Sequence, residues 1–93
     1  MKPEEVKDIN AKICQKYGST FGVRSMAELE FACNKVILKD IAKHIARHHP
    51  FFDGNKRTAL VVAMMGKGLF GSDVDTMLWH PIFAEIMEIL NEV

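Results

Sequence analysis

The sequence predicts an all-α fold, a compact helical core in one small domain. Three observations carry that prediction. Apolar residues recur at three- and four-residue spacing along several stretches, glycine and proline fall between those stretches, and no segment alternates apolar and polar residues as a half-buried strand would.

The first helix opens at Pro3, a residue suited to a first helical position, with Glu4 and Glu5 where the helix dipole favours acids. Val6, Ile9, Ile13 and Tyr17 follow at helical spacing, and Gly18 is the stop. The stretch "GSTFGVR" reads as a loop. Ser25 and Glu28 are spaced as a capping box. The stripe beyond them is Leu29, Cys33, Val36/Ile37, Ile41, Ile45 and His48, either as one long helix or as two with a break near residues 34–39. Pro50 disfavours helix at His49 and pushes that residue toward an extended conformation. The next helix starts at Gly54–Asn55 and is apolar nearly all round over residues 59–65, the pattern of a central buried helix. "GKGLFG" ends it. A last amphipathic helix begins near Pro81, with Trp79, Ile82/Phe83, Ile86, Ile89/Leu90 and Val93 on one face and Glu85, Glu88 and Glu92 on a solvated one.

Composition narrows the function classes. The chain has 93 residues, 48% of them hydrophobic and 26% charged, enough for one modest core that a homodimer or a bound partner would reinforce. Twelve basic residues balance twelve acidic ones, which argues against a protein whose main task is coating nucleic acid or an anionic membrane. The charged start "MKPEEVKD" has no apolar core of a signal peptide, and the apolar run 59–65 is too short to span a bilayer. Cys14 and Cys33 form no CxxC pair and read as two buried, reduced thiols on apolar stripes, so a cytoplasmic location is expected.

The stretch "HHPFFDGNKR" concentrates the chemistry. A loop containing Gly54 and Asn55 runs into a helix N-terminus, whose first backbone N–H groups lack intrahelical partners and favour an anion. Gly54 carries no side chain where a ligand must approach the backbone. Lys56 and Arg57 are cations at the end of the helix where the dipole alone disfavours them, which a di- or triphosphate between them would explain. Asp53 beside phosphates would hold Mg²⁺, an ion that keeps several waters and needs one or two protein oxygens. His49 lies across the turn, and an imidazole can take a proton from a hydroxyl. The plainer reading of each residue is a turn dipeptide, a cap, a loop histidine or a solvated cation.

The order of these residues resembles the signature loop of the Fic/Doc family, H-x-F-x-[D/E/A]-[G/A]-N-[G/K]-R, here "HPFFDGNKR". Lys56 and the following "TAL" are similar to the Doc (death-on-curing) branch; Fic loops usually carry glycine at the position of Lys56 and a second arginine at that of Leu60. "FGVRSMAELEFAC" resembles the helix that precedes the loop in Doc proteins. The resemblance implies an all-α core with the loop between two central helices. It implies His49 as general base, Phe51 as buried anchor, Asp53 as the Mg²⁺ ligand, Gly54, Asn55 and Lys56 as the nucleotide-phosphate nest, and Arg57 on phosphate and on developing charge. It implies ATP and Mg²⁺ as cofactors and transfer of the terminal phosphate to a protein Ser/Thr hydroxyl. The target would be like elongation factor Tu, and the neutralising partner a Phd-type antitoxin. Two alternatives stand beside that reading: AMP transfer of the Fic type, and a catalytically inactive, shortened Doc-like binding module. "EFACNKVILKDIAKHIARHHPF" leaves no room for the flap that aligns the target in Doc proteins. No [S/T]-x-x-x-E-[G/N] inhibitory pattern is present, Ser25–Glu28 being one residue too short.

Other candidates read more simply. Asp40, His44 and His48 share a helix face, so the two histidines could chelate a metal, but HExxH is not met and a polar face with His48 partly packed is the simpler account. "SDVDTM" begins like a calcium loop but lacks its glycine and terminal glutamate. The methionines, Met64 and Met65 among them, read as core filler.

Overall fold

The computed structural model describes residues 1–65, which form four helices: α1 (Pro3–Tyr17), α2 (Met26–Cys33), α3 (Leu38–His48) and α4 (Asn55–Met65). Among the described residues there is no strand, only an isolated antiparallel bridge between Val23 and Phe51. The all-α expectation holds. The ending "GKGLFG", the segment "SDVDTM" and the last amphipathic helix lie outside the described residues.

Helix α1 forms as its ends dictate. Pro3 enters at the first turn beside Glu4 and Glu5, and the Glu5 carboxylate accepts from the Lys2 backbone N–H at 3.0 Å. Gly18 ends the helix at φ 67°, a left-handed conformation that glycine takes without a Cβ penalty. Its buried face is Val6, Asn10, Ile13 and Cys14.

Helix α2 meets half of the capping-box expectation. The Ser25 hydroxyl accepts from the Glu28 N–H at 3.2 Å. The reciprocal arm is absent because the Ser25 N–H already donates to the Pro50 carbonyl at 3.0 Å. The Glu28 carboxylate turns instead to His44 of α3, 2.6 Å away.

The chain breaks between α2 and α3, so the two-helix alternative holds. Val36 and Ile37 were expected on the apolar stripe; they sit in the break, 93% and 59% exposed. The stripe resumes with Ile41, Ala42, Ile45 and Ala46, all buried, while His48 faces solvent. Residues 34–37 alone join the two helices, so no hairpin is inserted there.

Helix α4 is the central one. Thr58, Ala59, Leu60, Val61, Val62, Ala63 and Met64 are all buried, as the all-round apolar pattern predicts. It packs chiefly on α3 and next on α1, while α2 packs mainly on α3 and touches α1. The α3–α4 loop is thereby fixed at both ends by the two best-packed elements of the described chain.

Candidate active site

The loop begins with a left-handed residue. His49 has φ 47° and ψ 65°, and its N–H still donates to the Ile45 carbonyl at 3.0 Å. Pro50 does expel it from the right-handed region. The extended conformation expected there is not taken, because a left-handed turn carries Pro50 and Phe51 straight down into the core, where both are buried. Arg24 holds this turn from outside. Its Nε donates to the His49 carbonyl at 2.7 Å and its Nη2 to the His48 carbonyl, a cation on the last carbonyls of α3 where the dipole favours it. The Arg24 N–H also donates to the Pro50 carbonyl at 2.7 Å, and the Phe52 N–H to Gly22 at 3.0 Å. The 18–25 loop is therefore the backing plate of the 49–54 loop.

Asn55 closes the loop internally. Its side-chain amide accepts from the Phe51 N–H at 3.0 Å and donates to the Phe51 carbonyl at 2.9 Å. Asn10, fully buried on α1, donates to the Asp53 carbonyl at 2.8 Å and to the Thr58 hydroxyl at 3.0 Å, tying the loop and the start of α4 to α1. Gly54 sits against that junction at φ 74°, where an added Cβ would lie 3.2 Å from the Asn10 amide nitrogen and 3.4 Å from Ile13. Sequence reasoning assigned Gly54 to close approach by a ligand; the close approach observed on its Cβ side is that of α1.

The polar face is what remains. His49, Asp53, Lys56 and Arg57 are exposed, while Pro50, Phe51, Asn55 and Thr58 of the same stretch are buried. The Asp53 carboxylate accepts from the Thr20 N–H at 3.0 Å, which orients it. The Arg57 guanidinium lies 4.0 Å from the centroid of the Tyr17 ring, a cation–π contact. The first intrahelical bond of α4 runs from the Thr58 N–H to the Gly54 carbonyl, so the amides of Asn55, Lys56 and Arg57 precede the ladder. An anion in front of α4 would meet these amides and two cations. Asp53 could offer a carboxylate oxygen to Mg²⁺ beside it.

Burial raises the Cys14 thiol above its usual range, and the Asp53 carboxylate adds to that. The sulfur lies 3.6 Å from the Asn10 side-chain oxygen and 3.8 Å from the Asp53 carbonyl. It is a protonated packing group beneath the loop; both cysteines are free thiols as expected, but only Cys14 is buried, Cys33 being half-buried at the end of α2.

Sequence reasoning missed Asn10, Arg24 and the use of Tyr17. Asn10 had a signal: a polar residue at the spacing of the α1 stripe, four after Val6 and three before Ile13. Arg24 was quoted only within the stretch "FGVRSMAELEFAC", and nothing local marked its role, because its partners are backbone carbonyls 24 and 25 residues further along the chain.

Comparison with known proteins now bears on the same segment. The model of the Fic/DOC family matches residues 36–65, from the exposed connection through α3 and the loop to the end of α4. No curated protein and no solved structure matches the chain. No described helix is long and apolar enough to cross a membrane.

Proposed function

We propose, for a chain whose residues 36–65 match the model of the Fic/DOC family, a transferase that moves the terminal phosphate of ATP to a protein Ser/Thr hydroxyl. The family match supports a Fic-type transferase at the coarse level; the choice of phosphate over AMP, the cofactors and the residue roles are our reading. One observation carries it: the loop buries the side chains that shape it and exposes His49, Asp53, Lys56 and Arg57 around the start of α4.

In this reading ATP-bound Mg²⁺ would lie on Asp53 and neutralise phosphate charge. The α4 amides and Lys56 receive the phosphates, with Gly54 letting the loop turn tightly against α1 just before them. Asn55 contributes its backbone N–H, since its side chain is spent on Phe51. Arg57, steadied over Tyr17, stabilises charge developing on the transferred group. His49 accepts the proton of the target hydroxyl as its oxygen attacks phosphorus and the bond to the departing ADP oxygen breaks. Phosphate is favoured over AMP because Lys56 stands where Fic loops usually carry glycine and Leu60 where they carry a second arginine. Leu60 is only 3% exposed, inside the core.

The partners follow from the same resemblance: a target similar to elongation factor Tu, and a separate antitoxin of the Phd type. The connection of residues 34–37 bears on target docking and favours one second reading, a binding module without transfer.

The test uses ATP labelled at either the α- or the γ-phosphate in a bacterial lysate, beside His49→Ala and Asp53→Ala. We expect γ-label on a target band that is lost in both variants and without Mg²⁺. The α-label on the target would replace phosphate transfer by AMP transfer. No His49-dependent label would leave the binding module.

A further inference from the structure

A second cluster lies along the last turns of α3, where they face α2. Glu28 on α2 faces His44 and His48 on α3, with Glu28 Oε2 2.6 Å from His44 Nε2 and 3.8 Å from His48 Nδ1. The three donor atoms all lie within 4.8 Å of one another. The ring of His44 packs between Phe31 and His48, at centroid distances of 4.9 and 4.2 Å, and its side chain is 9% exposed. The arrangement is held in place: Ser25 satisfies the backbone of Glu28 and Pro50 satisfies that of Ser25, which frees the carboxylate to reach α3.

From this geometry we infer that Glu28, His44 and His48 form a binding site for a divalent transition-metal ion of the zinc class, clipping α2 to α3. Two imidazoles at i and i+4 present nitrogens on one helix face, and a carboxylate from a second helix completes a facial set. Zinc–nitrogen and zinc–oxygen bonds of about 2.0–2.2 Å in a tetrahedron place donors roughly 3.3–3.5 Å apart. The observed Glu28–His44 and Glu28–His48 separations of 2.6 and 3.8 Å fall on either side, and no pair of donors is more than 4.8 Å apart, so the ion would draw the three side chains together by small movements. Imidazole donors select zinc, cobalt or nickel over magnesium or calcium. The Glu28 and His48 side chains are 38% and 41% exposed, so the fourth position opens to water. A pure helix-face histidine pair would not include Glu28; the carboxylate arriving from another helix is what goes beyond the sequence pattern. This site is separate from the Mg²⁺ proposed on Asp53, and its test does not read transfer.

The probe is Co²⁺ added to the chain without a histidine tag, in Mg²⁺-free buffer, followed by displacement with Zn²⁺. Thermal unfolding with and without Zn²⁺ is the second readout. Visible Co²⁺ absorption saturating at one ion per chain, bleached by Zn²⁺, and a Zn²⁺-dependent rise in Tm are expected. Glu28→Gln and His48→Gln alter exposed ends of the cluster and keep the Ser25 cap, so both should fold. Each should bind at least tenfold more weakly and lose the Tm shift. Absence of the band in the native chain overturns the site, as does binding by both variants that matches the native chain.

Discussion

Gly54 and His49 are the two residues of the loop whose backbones lie in the left-handed region, and they differ in what their side chains do there. A non-glycine residue in that region costs about 1–2 kcal/mol. The His49 imidazole is exposed, so core packing does not offset that cost; the strain sits at a position proposed to carry chemistry, as strained residues often do. At Gly54 the conformation and the space both demand glycine. Asn10 is held by two hydrogen bonds and cannot retreat from an added methyl. Gly54→Ala should therefore combine left-handed strain with overpacking, a loss of at least about 2 kcal/mol. Gly18 has a similar φ of 67° but no atom within 4 Å of its Cβ position. Gly18→Ala should carry the strain alone, about 1 kcal/mol. Urea unfolding of the two variants compares them directly; equal losses would mean that the α1 contact does not constrain Gly54.

At the scale of elements, the end of α3 and the start of α4 are what the site needs held. Arg24 grips the two last carbonyls of α3 with a fork that lysine cannot reproduce. Arg24→Ala should lower stability by about 1 kcal/mol, discounted for its exposure to solvent, and Arg24→Lys should recover only part. If His49 acts from this turn, transfer should fall more than stability does; a denaturation curve beside a rate measurement separates the two. The sequence made the elements legible where local chemistry decided them. Pro3, Gly18, Ser25 and Pro50 marked boundaries through rules that act within one turn, and the apolar run 59–65 marked the central helix. It was less informative where a distant partner decided. Val36 and Ile37 fit the helical stripe by spacing but fall in a break. Glu28 fits a capping box but is drawn to His44. The left-handed turn at His49 fits the packing of Phe51 and the Arg24 clamp, and neither is encoded next to it. The candidate active-site loop was recognisable from its residue order; the supports under it, Asn10 and Arg24, required the fold.

On the scale of the whole molecule, α1 is the element that joins the core to the loop, and Cys14 reports on that joint. The thiol is 1% exposed, enclosed by Asn10, Thr20 and Asp53. Cys33 is half-buried at the end of α2. Both thiols are held above the usual pKa, Cys14 by burial and then by Asp53, Cys33 by burial, with the N-terminal ammonium opposing and Glu5 adding. A folded chain that holds these protons more tightly than the unfolded one gains stability from them at neutral pH. That gain is lost as pH rises past the unfolded thiol range and through the raised folded values. Alkaline pH should therefore weaken the joint between α1 and the loop, through a thiolate forming beside Asp53. Thiol labelling in increasing urea, run at neutral and at alkaline pH, tests both points. Cys33 should react from the native state, whereas Cys14 should react only through opening, with a urea dependence equal to that of global unfolding. Rapid labelling of Cys14 in native buffer, insensitive to urea, would mean that α1 leaves the loop by local opening. The core would then not hold the 49–57 segment as a single unit.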